Sequence, residues 1–498
     1  MKRIKQIFFI LFFINLSILF SQTDSSKIES KKNIDKLAIL KSELDDIVND
    51  PNFSDALMGV YVKSVKNGEV LYKRNQDKLF VPASAIKLFT TSAALLYLGP
   101  NHKYETTLYA SGDFIDNRLS GNLIIKGTGD PTISNRFING NVDVILNNWA
   151  DSLINLGIDR IEGNLIGDAS DFEESNLGEG WIWDHESYWY SAKPSALSFN
   201  NNSVTILVYR DSLNNISFKT EPETSFITII NRVEKSRYEP SNISLFRKSG
   251  TNIISLTGNL SEEDDTVRVY ASVDSPPLYF LSVFNEVLTK DSIQVEGYIA
   301  DSEMIENELY YPDYIPLFTH ISPSLKEIVW ETNKNSNNFY AEQLLRTIGL
   351  ELYNYGSAAN GIKAVNQLFN KMGINENGIK IVDGSGLSRY NLVSPKQIVN
   401  LLIYMFKSDQ FENFYKSLPI AGYDGTMLDR MKKTNVQKKV RAKPGYMENV
   451  KSLSGYVQTN DGELLAFSII LNNFIVPSNL VNYIQDNICL RLANFTRK

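Results

Sequence analysis

The stretch Pro82-Ala83-Ser84-Ala85-Ile86-Lys87-Leu88-Phe89, running on to Leu98 and stopped by Gly99-Pro100, decides how the rest of the chain is read. It predicts one helix, apolar on nearly every side and therefore central to its domain. A serine followed three residues later by a lysine places both side chains on one helical face. There a buried amine that loses its charge through desolvation can act as base for the hydroxyl. The alternative is a helix N-cap with a solvated lysine. The neighbours Ile86, Leu88 and Phe89 tell against solvation, because a merely structural ammonium is expensive to bury among them.

Upstream of this helix, Leu37, Leu40, Leu44 and Ile47 recur at helical spacing. The alternating run Met58 to Lys63, a Lys66-Asn67-Gly68 turn and Val70-Leu71-Tyr72 predict a hairpin with a tight two-residue turn. Downstream, from about Asn101 to Tyr310, the texture changes to short strands punctuated by Gly, Asn, Asp and Pro, as in Gly127-Thr128-Gly129-Asp130-Pro131. Helical spacing returns after Ser322, with Ala341, Leu344, Leu345 and Ile348 on one face. Gly455-Tyr456-Val457, an Asp461-Gly462 turn and Leu464 to Leu471 predict another hairpin before a final helix from about Ser478 to Leu492. Residues 33–100 and 311–498 are therefore read as two halves of one α/β domain. Residues 101–310 form a β-rich insertion, read as two subdomains.

Length and composition bound the chemistry. A chain of 498 residues with 43% hydrophobic and 11% aromatic residues is globular and holds more than one domain. Its 50 Lys and Arg against 57 Asp and Glu give a net charge of −7, with no basic stripe, which argues against nucleic acid as a partner. A single cysteine, Cys489, excludes an internal disulfide framework and a thiolate metal cluster, and His102, His185 and His320 have no ligand spacing. The chemistry must run on Ser, Lys, Asn and carboxylates. Met1-Lys2-Arg3-Ile4-Lys5, an apolar run from Ile7 to Phe20 and then Ser21-Gln22 read as a signal peptide over residues 1–21, with an uncleaved anchor as the alternative. The expected location is the bacterial periplasm, with no stable membrane span after cleavage.

Two further groups carry chemistry. Ser336-Asn337-Asn338 enters the helix bearing Ala341 to Ile348, where a hydroxyl and an amide from one turn can relay a proton and hold a substrate amide. Lys443-Pro444-Gly445 precedes the last hairpin, where a cation followed by a small residue can line a cleft and fix a carboxylate. Taken singly, the second matches ordinary turns such as Ser198-Phe199-Asn200, and the third is a basic turn.

Together and in this order the three groups resemble the penicillin-recognising serine acyltransferases, with their Ser-x-x-Lys, Ser-x-Asn and Lys-Thr-Gly motifs. The wide gap between the first two points to D-alanyl-D-alanine carboxypeptidase/endopeptidases of the penicillin-binding protein 4 type, peptidase family S13. Further motifs of that type are Trp181 with Trp183-Asp184, Asp383-Gly384-Ser385-Gly386-Leu387-Ser388-Arg389, Leu418-Pro419-Ile420-Ala421-Gly422 and Leu453-Ser454-Gly455-Tyr456.

The resemblance implies a transpeptidase-like domain, an antiparallel sheet with helices on both faces, interrupted by the insertion. It implies Ser84 as nucleophile, Lys87 as base, Ser336 as proton relay, Asn338 as orienting amide and Lys443 as a source of positive potential. Backbone N–H groups of Ser84 and Tyr446 are the implied oxyanion donors. Asp168 and Arg389, with Gly445, are the implied stem-peptide contacts. The implied partners are peptidoglycan stem peptides and, as covalent inhibitors, β-lactams; no metal or other cofactor is expected. One position departs from the pattern. Pro444 stands where the family has a threonine whose hydroxyl helps bind the substrate carboxylate, which keeps open a catalytically weak or silent peptidoglycan-binding homologue. A histidine triad and a β-lactamase fit less well: only His320 lies near the outer domain, and β-lactamases lack so large an insertion.

Overall fold

The computed structural model describes residues 35–174, 177–305, 308–373 and 378–497. The signal-peptide reading of residues 1–21 lies outside these. The two chain ends build one five-stranded antiparallel sheet in the order Val440–Met447, Val450–Gln458, Leu464–Asn472, Leu57–Ser64, Val70–Arg74. Alternation along the strands decides which side chains go where. Val60, Val62, Leu465, Phe467, Ile469 and Leu471 pack on one face with the helices Lys36–Val48 and Ser478–Asn494. Tyr61, Ala466 and Ile470 point to the opposite face, where the helices Lys87–Tyr97, Leu325–Lys334, Asn338–Tyr353 and Pro395–Lys407 cover the sheet. The mixed α/β class, with helices on both faces of an antiparallel sheet, is the observed one.

The helix Lys87–Tyr97 is buried from Lys87 through Leu95, which its uniformly apolar sequence anticipates. Its predicted first turn differs. Ala83–Ile86 is a 3₁₀ turn, and Ala83 holds φ at 49°, a conformation unfavourable for a side chain bearing a Cβ. The predicted two-residue hairpin turn is also a wider loop. Five residues separate Ser64 from Val70, the Ser64 N–H donates to the Glu69 carbonyl at 2.8 Å, and the pairing register slips between Val62 and Lys63. The slip adds a residue that a two-residue turn cannot absorb.

The insertion holds a five-stranded sheet (Ile299–Asp301, Leu165–Asp168, Asn122–Lys126, Glu105–Ser111, Ile315–Ile321), a four-stranded sheet of two-residue strands, two three-stranded sheets and two helices, Val144–Asn155 and Pro276–Lys290. Its C-terminal edge therefore extends past residue 310, because Ile315–Ile321 pairs antiparallel with Glu105–Ser111. Leu108, Leu165, Val204, Ile254 and Phe280 belong to one continuous buried cluster, so the packing does not separate two subdomains. No described helix is long and apolar enough to cross a membrane.

Candidate active site

Ser84 and Lys87 meet where the first turn of the central helix reaches the sheet edge. Lys87 Nζ lies 3.1 Å from Ser84 Oγ, 2.6 Å from Asn338 Oδ1 and 2.6 Å from the Ser385 carbonyl oxygen. The Asn338 orientation follows from its other bond: Nδ2 donates to the Tyr190 carbonyl at 2.9 Å, and a carbonyl only accepts. A neutral amine has two N–H donors and one lone pair. In that form Asn338 and Ser385 take the two donors and the lone pair is left for the Ser84 hydroxyl, whereas in the ammonium the third N–H is donated to Ser84 Oγ.

Burial brings the neutral form within reach near neutral pH. Lys87 is fully buried, and desolvation pulls its ammonium from the ordinary 10.5 to about 7 against the opposing attraction of Asp383 and Glu342. Both carboxylates stand behind the site and not in it. Asp383 accepts from the N–H groups of Gly386 and Ser388, from Asn391 Nδ2 and from Trp181 Nε1. Glu342 accepts from the N–H groups of Gly384 and Ser385 and from Arg346 at 3.1 Å. These bonds hold the 383–389 loop, and with it the Ser385 carbonyl, against Lys87. Burial raises the Asp383 carboxyl to about 6, with Glu342 adding to the rise.

The strand Val440–Met447 is the sheet's outer edge. The Ala442 N–H donates to the Pro419 carbonyl at 3.0 Å and the Val440 carbonyl accepts from the Ala421 N–H, so residues 440 and 442 turn their backbone groups to the open side. By the two-residue repeat, 444 and 446 do the same. Pro444 thus lacks its N–H where no ladder bond needs it, and the Tyr446 N–H faces the cleft. Gly445 touches the nucleophile's turn: a Cβ there would lie 2.9 Å from the Ser84 nitrogen and 2.4 Å from Ser452 Oγ. Ser452 Oγ in turn donates to the Pro82 carbonyl at 2.7 Å.

Lys443 is fully buried, its Nζ 3.1 Å from the Pro444 carbonyl. Burial, and then repulsion from Lys87, push its ammonium well below the ordinary value. An arriving carboxylate offsets that repulsion, so anion binding and proton uptake at Lys443 are coupled. Ser336 occupies the three-residue turn between the helices Leu325–Lys334 and Asn338–Tyr353 with φ at 58°, and its hydroxyl bonds to no other described residue. Arg389 is half-buried at the rim, where Nη2 donates to the Glu448 carbonyl at 2.8 Å. Asp168 stands apart. It is buried inside the insertion, takes the Ser170 N–H at 2.9 Å on one oxygen and the Tyr311 hydroxyl on the other, and none of its bonds reaches the Ser84 group. Its carboxylate is thereby occupied within the fold.

The insertion supplies part of the wall. Besides Tyr190 and Trp181, the backbone of Ser195 and Gly129 is held by Gln343, which is buried one turn beyond Asn338. The sequence contained Glu342, Gln343 and Tyr190 without marking them; a polar pair inside the buried stretch of the helix was the available signal.

A serine beside a buried amine whose ammonium is strongly destabilised, under a sheet edge and a side-chain amide, defines a serine-type acyl-transfer enzyme. The model of the D-Ala-D-Ala carboxypeptidase 3 (S13) family matches residues 40–494, and the chain belongs to that family of serine-type D-Ala-D-Ala carboxypeptidases. It is 32% identical over 473 residues to a D-alanyl-D-alanine carboxypeptidase of Actinomadura sp. (strain R39), covering 92% of this chain and 85% of that one. To the D-alanyl-D-alanine carboxypeptidase DacB of Haemophilus influenzae it is 26% identical, covering 84% and 85%. The crystal structure of penicillin binding protein 4 from H. influenzae superposes with a TM-score of 0.77 at 25% identity over 90% of this chain and 98% of that one. The same protein has been solved in complex with a β-lactam, at a TM-score of 0.74.

Proposed function

We propose that the chain is a periplasmic serine peptidase that cleaves D-Ala-D-Ala ends of peptidoglycan, its D-Ala–diamino acid cross-links, or both, through an acyl-enzyme on Ser84. The observation that carries this reading is the buried Lys87 amine 3.1 Å from Ser84 Oγ, held on its other sides by Asn338 Oδ1 and the Ser385 carbonyl. Lys87 takes the Ser84 proton as Oγ bonds to the substrate carbonyl carbon. The tetrahedral oxyanion is received by the N–H groups of Ser84 and Tyr446. The C–N bond then breaks, Ser336 relays a proton to the departing amine, and water releases the acyl group. Asn338 orients Lys87 and the substrate amide, Lys443 receives the substrate carboxylate, and Arg389 at the rim holds the stem peptide.

A silent, peptidoglycan-binding homologue is the second reading, and Pro444 favours it by removing the hydroxyl that holds a carboxylate. Digestion of purified sacculi, with released fragments identified by mass, tests both. Loss of terminal D-Ala or opening of cross-links, abolished by Ser84→Ala, supports the peptidase. Binding without release by well-folded protein supports the silent homologue.

A further inference from the structure

The strap of residues 181–190 is pinned at both ends to the catalytic group yet carries its largest rings into solvent. Trp181 Nε1 donates to Asp383 Oδ2 at 3.0 Å, and the Tyr190 carbonyl accepts from Asn338 Nδ2 at 2.9 Å. Between these anchors Trp183 is 73% exposed and Trp189 36% exposed. Trp189 is supported from behind: it lies edge-on to Tyr190 at 6.1 Å, Tyr190 stacks on Tyr188 at 5.4 Å and 4°, and His185 lies edge-on to Tyr190 at 5.6 Å. The strap's back is fastened to the insertion, where Ser272 Oγ donates to the Glu186 carbonyl and the Arg247 N–H to Ser187 Oγ at 2.9 Å. The strap's backbone and the Trp189 ring are thus held before any partner arrives, which lowers the cost of binding.

The chemistry of the strap selects its partner. From Gly178 to Ala192 there is no Lys or Arg, while Glu179, Asp184 and Glu186 are present, so an anionic polymer is disfavoured. Rings interleaved with Asp184, His185, Glu186 and Ser187 do not make the continuous apolar patch that a lipid or a hydrophobic protein face needs. A partner with flat C–H faces and polar edges and without net charge fits both constraints, since an aromatic face is attracted to positively polarised hydrogens. We propose that Trp183 and Trp189 form a platform for the N-acetylated amino-sugar chain to which the stem peptide is attached. The platform sets the sugar chain beside the cleft while the peptide enters toward Ser84. This inference rests on the peptidoglycan reading above.

The test compares kcat/KM for a disaccharide-linked stem peptide with that for the same peptide without sugars, and measures binding of an N-acetylglucosamine hexamer by calorimetry. The unaltered protein is expected to favour the sugar-linked peptide by about tenfold, equivalent to about 1.4 kcal/mol. In Trp183→Ala and Trp183→Ala/Trp189→Ala that ratio is expected to fall toward one and hexamer binding to be lost. A ratio of one in unaltered protein that benzylpenicillin still acylates overturns the platform and leaves the catalytic reading intact. Equal losses on both peptides in Trp183→Ala also overturn it, because the ring then contacts the peptide. If benzylpenicillin does not acylate the protein, the catalytic reading fails instead, and hexamer binding alone decides whether the platform exists.

Discussion

Lowering the pH protonates Lys87, and its burial sets where. Lys87 is depressed from 10.5 to about 7 by burial, a gap worth about 5 kcal/mol at ~1.4 kcal/mol per tenfold. Above about 7 the amine is neutral and can accept the Ser84 proton; below it the added proton occupies the lone pair. The second-order rate of Ser84 acylation by benzylpenicillin, followed by stopped-flow, is therefore expected to be level above about pH 8. It should fall about tenfold per pH unit below about 7, reaching roughly one-hundredth near pH 5. Lys87→Met is expected to lower the plateau by about 10²–10⁴-fold and to erase the inflection. Far-ultraviolet dichroism across the range keeps unfolding apart from titration. A rate flat from pH 5 to 9 in folded protein, or a midpoint near the ordinary lysine value, refutes Lys87 as the base.

Three other outcomes follow from individual positions. Gly386 has φ at +86°, and a Cβ there would lie 2.1 Å from the Ala83 carbonyl oxygen, so Gly386→Ala should displace the nucleophile's turn; benzylpenicillin acylation is expected to drop by about 100-fold. Pro444→Thr restores a hydroxyl on the cleft edge and is expected to raise kcat/KM for a D-Ala-D-Ala peptide by about tenfold, one charge-assisted hydrogen bond's worth; an unchanged value shows that the hydroxyl is dispensable. Asp130 is buried with Oδ2 unpartnered, 3.7 Å from His320 Nε2, and burial lifts its carboxyl from 3.8 to about 6. Folding thus binds an extra proton between those values, and the ionised carboxylate costs about 3 kcal/mol at neutral pH. Asp130→Asn is expected to raise the melting temperature above pH 6 and to lose that advantage below about pH 4; an advantage at all pH values refutes the assignment.

The pairing of Ser84 with Lys87 was legible because its signals are local. Ser84 and Lys87 are three residues apart, and the apolar stretch that follows them reads as a buried helix, although Ser84 itself sits in the 3₁₀ turn before it. The two ends of the chain declared one sheet through period-two alternation, as in Val60 and Val62 against Tyr61. What stayed hidden depends on contacts between distant residues. Nothing near Glu342 or Asp383 in sequence states that each tethers the loop whose Ser385 carbonyl meets Lys87, a contact spanning 298 positions. Asp168 was marked through the resemblance alone, and its bond with Tyr311, 143 positions away, is beyond any local signal. The strand Ile315–Ile321 escaped the insertion's reading because it contains Pro316 and pairs with residues about 200 positions earlier, beyond any local signal. The first hairpin misled for a subtler reason: Asn67-Gly68 is a good turn pair, but the bulge beside Lys63 widens the loop around it.

Everything functional descends from the reactivity of one serine, and that is open to direct measurement. Full-length protein incubated with benzylpenicillin, digested and mapped by mass spectrometry, should carry a single penicilloyl group on the peptide containing Ser84, with none after Ser84→Ala. An unmodified Ser84 in folded protein, or an adduct on another residue, contradicts the account.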